Sequence, residues 1–232
     1  MNAARQQLIA ELSADLRPVP KPAGSAAVVA LWLLGAGAFS VLVLLLDGPF
    51  RTGSLHQLIA SPRFLLENLL GVVTIAALGR AGLRLAIPAI TPLRARVAWP
   101  LVLLVAWLAL YAYGFHAPSL PPSMDGKRAH CVLEAAVVGL PALLWGLWLA
   151  RRWWPLHGTW TGCLLGLASG AMPALLMQLA CMYTPSHIFL FHLLPGLALG
   201  AVGALAGSWV LRVVEAGWAA PGKISRAASI RG

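Results

Sequence analysis

Six long apolar runs, separated by short polar stretches, dominate the pattern along this 232-residue chain. They fall at roughly 26–46, 64–86, 98–115, 131–150, 158–182 and 189–211. A helix needs about 20 mostly apolar residues to cross the hydrocarbon core of a bilayer, and these runs are of about that length. They are continuous, whereas strands of a membrane barrel alternate apolar and polar positions over about ten residues. The pattern predicts an all-α integral membrane protein: a six-transmembrane-helix bundle over 26–214, followed by a short tail over 215–232. The first run is longer than the apolar stretch of about 7–15 residues in a signal peptide, and a 25-residue arm precedes it, so it is expected to stay as an anchor.

That arm, residues 1–25, has its own pattern. In AARQQLIAELSADL (3–16), Leu8, Ile9, Leu12 and Leu16 share one helical face, with Gln6, Glu11 and Ser13 away from it. The alternating prolines of 17–22 then enforce an extended, semi-rigid spacer. Helices that lie on membranes carry polar faces rich in Lys and Arg. Here Arg5 and Arg17 stand near the ends, with Glu11 and Asp15 between them. The expectation is therefore a short amphipathic helix that fills a groove on a protein partner.

Within the bundle, Gly158, Gly162, Gly166 and Gly170 recur every four residues, and Gly196/Gly200 and Gly203/Gly207 repeat that spacing in the last run. Stripes of small residues let helix backbones approach closely, so the last two spans are expected to pack on each other. Pro141, Pro173 and Pro195 interrupt three spans and are expected to kink them.

Composition narrows the class. The chain is 59% apolar and 10% charged, where soluble domains carry about 25% charge. A soluble domain, a disordered chain and a DNA-binding domain are excluded on that ground. The net charge of +10 is explained by placement. Arg5, Arg17, Lys21, Arg80, Arg84, Arg94, Arg96, Arg151, Arg152, Arg212, Lys223, Arg226 and Arg231 fall on one side of the six spans, whereas Arg51, Arg63, Lys127 and Arg128 fall on the other. The positive-inside rule then puts both termini in the cytoplasm. Lipid is the expected surrounding, and direct contact with nucleic acid is not expected.

Orientation sorts the chemistry. Cys131 opens the fourth span and Cys181 closes the fifth, both at the outer face. Cys163 lies roughly 27 Å away along the fifth helix and is expected to be a packing residue. In an oxidising compartment two thiols close a disulfide or bind a soft metal. His130 adjoins Cys131, His187 and His192 follow Cys181, and His116 shares that side. A Cys/His set suits Zn²⁺ or another thiophilic ion, although the spacing matches no zinc signature. Inert helix-end cysteines and a structural disulfide stay open as alternatives. No resident cofactor is expected, only transient binding of such an ion. Haem would need histidines buried within spans, and only His192 comes near that.

Glu67, Asn68, Glu134 and Gln178 lie toward the outer ends of the runs, and Arg80 and Arg84 lie near the cytoplasmic end, where snorkelling explains them. The absence of a mid-membrane acid argues against a pump. A metal or solute transporter or channel remains the alternative, tested by flux into proteoliposomes. A membrane thiol oxidoreductase is a further one, although the usual Cys-x-x-Cys pair is missing. With no G-x-S-x-G or H-E-x-x-H motif, hydrolase chemistry has no support and a non-enzyme is expected.

Several of these features together resemble the NrsF-type family of membrane anti-sigma factors. They are the arm Leu8-Ile9-x-x-Leu12-x-x-Asp15-Leu16-x-Pro18-Val19, the six spans, Cys131, and the Gly/Pro-rich stretch ending in Cys181 and Pro185-x-His187. The resemblance extends over almost the whole chain. It implies that the Leu8–Val19 arm sequesters an extracytoplasmic-function sigma factor. It also implies that Cys131 and Cys181 take part in sensing heavy metal or oxidative stress. Cys163 has no counterpart in that pattern.

Overall fold

The structure, a computed structural model, describes residues 3–14, 25–87, 91–153 and 155–219, and their side chains except at 4, 12, 25 and 210–219. Helices α1 (Ala3–Ala14), α2 (Ser25–Asp47), α3 (Ser54–Ala60), α4 (Pro62–Leu85), α5 (Leu93–Gly114), α6 (Cys131–Arg151) and α7 (Gly158–Ala180) follow in order. The chain then enters a helix made of three pieces: α8 (Pro185–His187), a π-helical turn (Ile188–Leu193) and α9 (Leu194–Ala219). Six helical segments among the described residues are long and apolar enough to cross a membrane, at Ala26–Asp47, Pro62–Leu85, Leu93–Gly114, Cys131–Arg151, Gly158–Ala180 and Pro185–Trp209. Each overlaps one of the six expected runs. The fifth ends at Ala180 rather than 182 because Cys181 turns to extended backbone (φ −112°, ψ 174°) after its N–H closes the last turn on Met177.

The arm's helix forms, but its apolar and polar residues are only weakly segregated, because Arg5 falls among Leu8, Leu12 and Ile9 while alanines occupy the opposite face. Leu8 and Ile9 are exposed. The side chain of Leu12, and Asp15, Leu16, Pro18 and Val19 with the rest of the spacer, lie outside the described residues.

Helix α7 is the most buried of the spans, and its glycines are the reason. A methyl group added at Gly162 would sit 1.9 Å from the carbonyl oxygen of Gly203, and one at Gly170 would sit 2.2 Å from that of Gly196. Helices α7 and α9 therefore meet backbone to backbone, as the two stripes predict. Other glycines admit large side chains. Gly79 and Gly146 leave the notch that takes the indole of Trp32 from α2, whose Nε1 donates to the Ala142 carbonyl at 3.0 Å.

Local signals explain the entry to α4. Ser61 Oγ accepts from the Phe64 N–H, and Pro62 opens the helix, where its missing N–H costs nothing. The end of the bundle where α4 and α6 begin and α2 and α7 finish is here termed the cysteine end. The opposite end carries Arg80, Arg84, Arg96 and Arg151.

Candidate thiol–imidazole site

Cys131 is the first residue of α6 and Cys181 the first beyond α7, so both sulfurs reach the same level of the bundle. They lie 3.4 Å apart, both buried and both free. His187 Nε2 stands 3.6 Å from the Cys131 sulfur and 3.5 Å from the Cys181 sulfur. With His192, these residues offer four ligand atoms, all within 4.8 Å of one another.

The two histidines converge because of the π-turn. In an α-helix, side chains five residues apart diverge by about 140°, so His187 and His192 would point to different sides. The wider i→i+5 winding of Ile188–Leu193 stacks positions five apart, and the two rings meet edge to face at 4.9 Å. Pro195 accounts for the irregularity. It cannot donate to the Phe191 carbonyl and its ring crowds that group, so the preceding turn opens instead of simply kinking.

The donor set fits a thiophilic ion. Tetrahedral bonds of about 2.3 Å to sulfur and 2.0–2.1 Å to nitrogen separate sulfur from nitrogen by about 3.6 Å and sulfur from sulfur by about 3.8 Å. The sulfur–nitrogen distances here match, and the sulfurs stand slightly closer. His192 is fully buried, and neither ring nitrogen has a hydrogen-bond partner among the described residues. An orphaned buried imidazole is costly, and an ion or a proton shared with sulfur would satisfy it. A disulfide is equally within reach, since closing 3.4 Å to about 2.05 Å needs only a small shift.

The surroundings are apolar below and charged above. Leu44 of α2, Met177, Ala180 and Met182 pack with the two cysteines. Over them lies Arg128, whose guanidinium contacts Asp47 at 2.8 Å and Glu134 at 3.0 Å. It also donates to the carbonyls of Leu44, Gly48 and Ala180, while its own carbonyl accepts from the Cys131 thiol. Beside it, burial lowers the Arg51 guanidinium from its ordinary range and pushes the Tyr183 phenol up. Tyr183 packs between Arg51 and Phe64, two residues beyond Cys181, and its hydroxyl meets Ser119, which donates to Glu67 at 2.9 Å.

Of the residues singled out by sequence, Cys131, Cys181, His187 and His192 therefore come together. His130 does not join them: it precedes the first turn of α6 with its side chain exposed. His116 is also exposed, and Cys163 lies on α7 near the other end. The sequence presents Arg128 only as a loop charge. The signal that could have found it was a basic residue three positions before Cys131, at the level of Asp47 and Glu134.

The family model for the NrsF family, described as "Negative regulator of sigma F", matches residues 12–213. A curated relative, the "Anti-sigma-F factor NrsF" of Caulobacter vibrioides (strain NA1000 / CB15N), is 41% identical over 86 residues. That match takes in 35% of this chain and 39% of the relative, so the chain aligns with about two fifths of that protein's length. No solved structure matches.

Proposed function

Because this chain belongs to the NrsF family of negative regulators of sigma F, we propose that it is a membrane anti-sigma factor with a thiol-based sensor. Its arm holds an extracytoplasmic-function sigma factor at the cytoplasmic face of a bacterial inner membrane. Heavy metal or oxidant reaching Cys131 and Cys181 on the outer side releases it. The basic residues crowded at the arm's end of the bundle support that orientation, and the exposed Leu8 and Ile9 support the arm as the partner-binding element.

The observation that carries the reading is the meeting of four donor atoms against α2, the helix that continues from the arm. A thiophilic ion draws both sulfurs to itself as thiolates. An oxidant instead takes two electrons and the two thiol protons and joins the sulfurs. Either event changes how α6 and α7 meet under Leu44 and Arg128, and α2 is tied to both residues. His187 and His192 complete the donor set. The signal is thus a ligand of this site, not a resident cofactor.

The test is co-purification of the sigma factor with the full chain from solubilised membranes, with and without Cd²⁺. The unaltered protein is expected to retain the sigma factor until metal is added. Deleting residues 1–20 should abolish retention, and C131S/C181S should hold the sigma factor in metal. Retention after the deletion overturns the arm. Release from the double variant overturns the sensor.

A further inference from the structure

A second site lies at the opposite end of the bundle. Between α4 and α5 runs a groove of about 840 Å³, lined at its mouth by Arg80, Arg84 and Arg96 and at depth by Val73, Ala77 and Leu103. That volume suits a sizeable organic ligand and far exceeds a single ion. From Arg84 to Val73 the α4 wall descends eleven residues, about 16 Å along the helix. The groove is therefore basic at the membrane surface and apolar at the depth of the acyl chains, and Val73 is half exposed along it.

Three arginines gather at the mouth of this groove. Arg80 and Arg84 stand one turn apart on α4, both exposed, and like charges at that spacing repel. Arg96 reaches across from α5 to the carbonyls of Arg84 and Ile87, which brings a third positive charge to the same mouth. No acidic residue occurs in the sequence between Glu67 and Asp125, and none lines the groove. Any anion held at this mouth therefore comes from outside this part of the chain. Trp99 lines the same cavity, exposed at the level where indoles sit among headgroups.

We propose that this groove binds an anionic phospholipid, with the headgroup phosphate on Arg80, Arg84 and Arg96 and one acyl chain along Val73, Ala77 and Leu103. Basic pockets between transmembrane helices recognise acidic headgroups in this manner. An acidic protein segment would use the mouth and leave the apolar depth empty, so the two-part lining favours an amphiphile. The site is independent of the sensing proposal, since it shares no residue with the thiol–imidazole cluster.

The test is native mass spectrometry of the full chain in mild detergent, counting retained phosphatidylglycerol against phosphatidylcholine. The unaltered protein is expected to prefer phosphatidylglycerol by roughly tenfold. R84Q/R96Q should lose the preference and R84K/R96K should restore it, which separates charge from folding. A77F, with every arginine in place, should reduce retention of both lipids. R151Q/R152Q, at the same end but outside the groove, should change nothing. Preference surviving in R84Q/R96Q or full retention by A77F overturns the proposal. Displacement of the lipid by millimolar inorganic phosphate also overturns it, in favour of a free-anion site. Displacement by a hexaglutamate peptide overturns it in favour of an acidic protein segment.

Discussion

Helices α7 and α9 are joined backbone to backbone, whereas α2 packs through a single stripe of side chains, Val29, Trp32, Ala36, Ser40 and Leu44. In the first pair, glycine faces glycine and the carbonyls of one helix lie against the Cα atoms of the other. Dispersion is gained at every turn and no side chain has to be ordered. Helix α2 is the least buried of the spans. Trp32 anchors it in its first half, Gly35 lies against the Trp145 ring, and at the cysteine end Leu44 and the carbonyls under Arg128 anchor it again. The contrast divides the labour. The glycine pair joins the two elements that carry Cys181, His187 and His192, and under the proposed function α2 is the element through which a change there would reach the arm.

Substitutions can break this contrast, the largest effect coming from the glycine pair. At Gly162 even a methyl group would collide with the Gly203 carbonyl, so G162L is expected to prevent folded protein from accumulating, at a cost of at least about 3 kcal/mol. Size-exclusion chromatography of solubilised membranes would show it, and a normal monodisperse peak would refute the backbone contact. R128Q leaves the side chain of Glu134 without its ion pair while nearly buried, a change worth about 3 kcal/mol. Thermal unfolding in detergent should fall accordingly, and the metal response should weaken even though no ligand atom is lost. W32F keeps most of the packing but removes the bond to Ala142, about 1 kcal/mol by the same measurement. G37A should lie within about 0.5 kcal/mol of the unaltered protein, because a methyl group there meets nothing within 4 Å. A large loss in G37A would mean that α2 is packed as tightly as α7.

The same contrast explains what could be read from sequence. The spans were legible because bilayer thickness imposes a length that hydropathy reports directly, and the glycine stripes were legible because their spacing matches the helical turn. Cys131 and Cys181 could be placed on one side by topology alone, since consecutive antiparallel spans put the start of one and the end of the next at the same face. His187 and His192 were visible only as residue types. Their convergence depends on a π-turn that no periodicity announces, although Pro195 marks where an irregularity is needed. His130 illustrates the reverse: adjacency to Cys131 in sequence says nothing once a helix begins between them and sends the cysteine inward. Arg128 was hidden because two of its partners, Asp47 and the carbonyl of Ala180, come from distant stretches, and only Glu134 is near in sequence.

The notch that receives Trp32 restricts how α2 can move. Its walls are Gly79 on α4 and Gly146 on α6, each so close that an added methyl group would overlap or crowd the indole. Sliding α2 along its own axis would drive the ring out of that notch and break its bond to Ala142. Tilting about the ring preserves both. Under the proposed function, displacement of the Leu44 end of α2 would therefore reach the arm as a tilt about Trp32 and not as a slide along the helix axis.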